Sequence, residues 1–139
     1  MGIWRDTMKQ VGGGDFTFLS EDGERLRFII VAGPVVLKTK FKGVEQTRIG
    51  VPCITLDGFA LFITGKRVAR RLSKHEDKFD RFIFEVTRHG KEDESTTSYT
   101  IDALEDPIEY KQLADRVVLS DIPSLVKEAV QDAITSFAS

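Results

Sequence analysis

The chain has 139 residues, with 41% hydrophobic and 30% charged, a net charge of −2 and one cysteine. That length suits one domain with its own core, and the apolar content argues against wholesale disorder. One cysteine excludes an intrachain disulfide, no apolar run approaches the ~20 residues of a membrane span, and Met1 to Asp6 lacks a secretory signal core.

In chain order, Gly12-Gly13-Gly14 predicts a hinge after an N-terminal arm, 1–14, that contains Trp4. Trp4 reads as a core anchor, a partner contact or a base stacker. Residues 15–19 alternate as a short strand before the turn signal Glu21-Asp22-Gly23-Glu24. A long first strand follows, with Leu26, Phe28, Ile30 and Ala32 on one face. Gly33-Pro34 interrupts it, and residues 35–42 resume it with Lys38, Lys40 and Lys42 on one face. Residues 47–56 form a second strand with Pro52 at an edge or bulge, and Asp57-Gly58 turns the chain into a third over 59–64.

The period then becomes helical. Val68, Ala69 and Leu72 share one face of a short helix, and Arg67, Arg70, Arg71 and Lys74 occupy the others. A polar loop over 74–80 precedes a fourth strand, 81–89, with Phe82, Phe84 and Val86 on its core face. The acidic loop 90–95 leads into a fifth strand over 96–101. Residues 104–110 are acidic, contain Pro107 and carry no predicted element. The spacing of Leu125, Val126, Ala129, Val130, Ala133, Ile134 and Phe137 predicts an amphipathic helix over 124–137, capped by Ser124.

Charge is segregated along this order. Residues 1–24 carry net −3, 25–91 carry +9, and 92–139 carry −8. A middle this basic predicts a polyanion surface, or else a solvated face whose cations pair with the acidic ends.

Three strands, a helix and two strands make an all-β core, mainly β with α. This is the order of a five-stranded OB-fold Greek-key barrel, with the helix between strands 3 and 4 and a C-terminal helical appendage. The predicted division is an arm over 1–14, the barrel over 15–102 and an acidic extension over 103–139. The runs Gly14-Asp15-Phe16, Phe28-Ile29-Ile30, Gly33-Pro34, Val51-Pro52-Cys53, Leu61 to Arg67, Phe82 to Gly90 and Thr97-Ser98-Tyr99 resemble phage-encoded OB-fold single-stranded-DNA-binding proteins. The resemblance spans residues 13–102. It implies sequence-independent binding of single-stranded DNA in replication or recombination, in a host cytoplasm, with Arg88, His89 and Tyr99 on the strand. The chain lacks zinc-ribbon cysteines and an Asp-rich tail ending in Phe.

Single-strand binding needs cations for phosphates and flat side chains for bases. The candidate residues are Lys38, Lys40, Phe41, Lys42, Arg48, Lys66, Arg67, Arg70, Arg71, Arg88, His89, Lys91 and Tyr99. Set against this, the Lys38 row also serves as edge protection, and Phe82 and Phe84 read as core. Enzyme readings are weak. His75-Glu76-Asp77 lacks a second ligand group, the triple glycine lacks a phosphate-loop Lys, and Cys53 reads as a buried hydrophobe, so neither metal nor cofactor is expected. The partners expected are single-stranded DNA, a second subunit or replication protein through residues 124–137, and no membrane. The alternatives are an OB-like protein-interaction or structural subunit and a single-stranded-RNA binder.

Overall fold

Residues 16–41, 43–90, 97–118 and 120–138 are described by a computed structural model, with backbone alone at 39–41, 137 and 138. Trp4, the triple glycine, Lys42 and Lys91 lie outside the described residues. The strands are β1 (Phe16–Thr17), β2 (Arg25–Ile30), β3 (Val35–Phe41), β4 (Val44–Thr55), β5 (Gly58–Thr64), β6 (Ile83–His89) and β7 (Ser98–Leu104). The helices are α1 (Lys66–Ser73), α2 (Pro107–Val118) and α3 (Ile122–Ala138), and a single 3-10 turn spans Glu76–Lys78.

Among the described residues seven strands stand where the sequence predicts five and a short strand before them. The predicted first strand is divided into β2 and β3, because Pro34 has no N–H to continue a ladder. Both halves still pair antiparallel with the long β4, and Val31 N donates to Pro52 O at 3.0 Å across the bend. The short strand predicted over 15–19 is β1, which pairs in parallel with β5. The full order is β1-β5-β4-β2-β6-β7, with β3 on the free part of β4. No ladder joins β7 back to β5 or β1 among the described residues, so the sheet is open.

One sheet face carries Phe28, Val51, Cys53, Phe62, Phe84 and Val86 into a single cluster with Val68 and Leu72 of α1. Residues from both ends of the strand order meet there, so the sheet curls around α1. Each large side chain buried in such a cluster contributes ~1.5–3 kcal/mol. The opposite face is covered by the other two helices. Ala129 and Ala133 of α3 pack on Leu37, Leu61 and Ile63. Leu113 of α2 packs on Ile29, Ile54 and Ile83.

Helix α2 was not predicted from the sequence, although its signals are local. Asp106 Oδ1 accepts from Glu109 N at 3.1 Å, and Pro107 occupies the first turn, where no N–H is required. Tyr110, Leu113, Ala114 and Val117 face the sheet at helical spacing. Helix α3 starts earlier than the predicted 124, and Asp121 replaces Ser124 as its cap. Asp121 Oδ1 accepts from Ser124 N at 3.4 Å, and Ser124 Oγ donates to Asp121 Oδ2 at 2.8 Å. Among the described residues, no helix is long and apolar enough to cross a membrane.

Candidate nucleic-acid interface

Register assigns each predicted residue to a face. Val36 lies opposite Ile49 and Lys38 opposite Thr47, so these four share the inner face, beside α1. Leu37 lies opposite Arg48, and Leu37 packs under α3, so Arg48 belongs to the outer face. There Arg48 donates to Gln46 Oε1 at 3.0 Å and lies beside Gly65.

Helix α1 sorts its cations by the same geometry. Val68 and Leu72 are buried, which leaves Lys66 and Arg70 on one flank and Arg67, Arg71 and Lys74 on the other. The second flank faces β7, where Arg71 donates to Tyr99 O at 2.8 Å. The first flank borders a groove of about 720 Å³ between α1 and the inner face of β3 and β4. Its floor is aliphatic: Ile30, Val36, Ile49, Val51 and Leu72, with Phe79 at one end. Lys66 and Arg70 line it, with Thr47, Ser73 and Glu76, and exposed Lys38 stands across the ladder from Thr47. The volume falls within the ~300–1,000 Å³ usual for ligand clefts.

No described carboxylate lies within ion-pair distance of Lys38, Arg48, Lys66, Arg67, Arg70 or Arg71. In contrast, Arg27 is held by Glu85 and Glu109, and Arg25 by Glu85. The acidic C-terminal helices therefore leave the cations of α1 uncompensated, at least among the described residues.

The residues that the family resemblance singled out do not gather at this groove. Arg88 is only 9% exposed. Its Nε donates to Gly90 O at 2.9 Å, and its terminal nitrogens reach Leu19 O, Tyr99 Oη and Thr97 Oγ1. A guanidinium so enclosed holds strands together, with its donors directed at the chain itself. Tyr99 is half-buried against the inner core, with the Arg88 guanidinium 5.8 Å from its ring centre. His89 points to the outer face and shares a 2.7 Å hydrogen bond with Thr100 Oγ1. Lys40 and Phe41 are placed on β3 by backbone alone.

Thr47, Ser73, Glu76 and the aliphatic floor were not predicted as site residues. They come from β2, β3, β4, α1 and the 3-10 turn, and only the curl of the sheet around α1 joins them. Chemically, the groove can shelter an apolar or planar group while the bordering cations hold an anion. The one thiol, Cys53, is fully buried, which pushes its pKa far up and keeps it protonated. His75 packs its ring 5.8 Å from Phe84, and no metal-binding cluster forms among the described residues. No protein-family model matches the chain, and no curated protein or solved structure gives a significant match.

Proposed function

We propose that this chain binds single-stranded DNA, with phosphates along Lys66, Arg70 and Lys38 and unpaired bases over the aliphatic floor of the groove. The observation that carries the reading is the juxtaposition of uncompensated cations with an apolar cleft. A phosphodiester strand offers both complements at once, and only unpaired bases can turn toward an apolar floor. Because the floor is aliphatic apart from Phe79, base contact rests on apolar burial more than on aromatic stacking. We read the architecture as an OB-type, partly open Greek-key barrel. Taking β2 with β3 as the first strand, the pairing order is third-second-first-fourth-fifth, with α1 between third and fourth. In such barrels the second- and third-strand face commonly meets oligonucleotides. Here α3 covers the outer side of β3 and β5, so the proposed path runs instead along the inner groove, lined by β3 and β4 of the first and second strands. A role in phage replication or recombination is proposed with it, on the sequence resemblance of residues 13–102.

The test is fluorescence anisotropy with a labelled single strand and a duplex of equal length across a salt series. Tighter binding to the single strand is expected, with log affinity falling linearly in log salt. Reversing both Lys66 and Arg70 to Glu is expected to weaken binding at least about tenfold and to lower the salt slope by about two. Arg48→Ala, on the other face, is expected to change affinity less than about twofold. Equal affinity for duplex, or indifference to the Lys66/Arg70 reversal, overturns the reading.

A further inference from the structure

We propose that Glu76 makes the groove select bases that carry an exocyclic amine, cytosine above all, over thymine. The inference rests on the single-strand reading above.

The groove has a charge gradient along α1. Lys66 sits at the first residue of the helix and Arg70 one turn on, roughly 6 Å along the axis. Past the C-terminal end of α1, the 3-10 turn starts at Glu76. Glu76 is the one carboxylate among the described residues that line the groove. It is exposed, and no described cation lies within ion-pair distance of it. A free carboxylate beside a polyanion repels phosphate, so at this end of the groove the ligand presents a base edge instead.

A carboxylate only accepts hydrogen bonds. Cytosine offers the N4 amine to such an acceptor, which is the pairing Glu makes with cytosine in other settings. Thymine offers N3–H flanked by two carbonyl oxygens, both of which repel a carboxylate. Of the other lining residues, Val36, Ile49, Leu72 and Phe79 have no polar side-chain atoms, and the Ser73 hydroxyl already donates to Arg70 O at 2.6 Å. The two pyrimidines have the same ring size, and the aliphatic floor favours the thymine methyl, so a preference for cytosine has to come from Glu76 against that term.

The decisive comparison is anisotropy of the full chain with oligo-dC and oligo-dT of equal length at one salt concentration, repeated with Glu76→Gln. For the unaltered chain, oligo-dC is expected to bind about tenfold more tightly. A glutamine both donates and accepts, so in Glu76→Gln the dC:dT ratio is expected to fall close to one, with oligo-dT gaining affinity. Equal binding of the two strands by the unaltered chain overturns the inference and leaves single-strand binding standing. A dC preference that persists in Glu76→Gln also overturns it, by assigning selection to another group. Binding of neither strand at low salt overturns the single-strand reading, and this inference with it.

Discussion

Arg88 shows how a residue's role depends on where its nitrogens end. It lies on β6 beside Tyr99 of β7. Its bond to Leu19 O ties the chain just after β1 to the end of the β6–β7 ladder. That link spans a gap no backbone ladder closes. Arg88→Met keeps the apolar stem and removes the donors, leaving Leu19 O and Tyr99 Oη unpaired. It is expected to cost about 2–3 kcal/mol in urea unfolding. If unfolding stability is unchanged, the structural role fails. Gly50 is a second single-residue constraint. A Cβ there would lie 3.0 Å from the side chain of Leu61, which is fully buried under α3. Gly50→Ala is expected to destabilise by about 1–3 kcal/mol, read by the same unfolding curves, because the buried Leu61 side chain must shift to admit the methyl group.

The elements carry their own logic. In α1 the two buried positions, Val68 and Leu72, set which cations face the groove and which face β7. The helix has no acidic residue in its first turn and no side-chain cap at Gly65, so packing, not capping, holds it. The reverse holds at the start of α2, where Asp106 and Pro107 define the first turn. Asp106→Ala is expected to lower stability by about 1 kcal/mol, with the loss confined in hydrogen exchange to the first turn of α2 and the Tyr110 contact. Tyr110 reports on that contact directly. Its hydroxyl donates to Phe79 O at 3.1 Å, and burial, with the nearby Asp80 charge, raises its pKa. Both signals of α2 were present in the sequence as Asp-Pro-x-Glu followed by apolar residues at helical spacing. The acidic composition around them masked the pattern.

At the scale of the molecule, the sheet has two occupied faces. The inner face holds α1 and the groove, and the outer face holds α2 and α3. Ala133 is fully buried between α3 and β3–β5, while neighbouring Asp132 is exposed. Ala133→Asp puts an unpaired charge into that contact and is expected to cost at least about 3 kcal/mol, with loss of cooperative unfolding. Asp132→Lys is expected to be near neutral in the same assay. Similar effects of the two substitutions would show that α3 is not part of the folded unit.

Local chemistry in the sequence determined the strand alternation, the turn at Asp57-Gly58, the short basic helix and the amphipathic last helix. Each depends on neighbours a few residues apart, and each stands within a few residues of its predicted place. Burial of Cys53, Phe84 and Val86 was legible for the same reason, since period-two alternation names a core face. Only the tertiary structure decided which cations meet. Lys66 and Arg70 border the groove, and Lys38 stands across the ladder from its lining residue Thr47, because β3 pairs with β4 and the sheet curls back over α1. Arg48 and His89 went to the outer face, since adjacent strand residues point to opposite sides, and Arg88 turned inward to close a gap between strands. Charge counts along the chain are blind to those choices, because they depend on register and curvature between segments far apart in sequence.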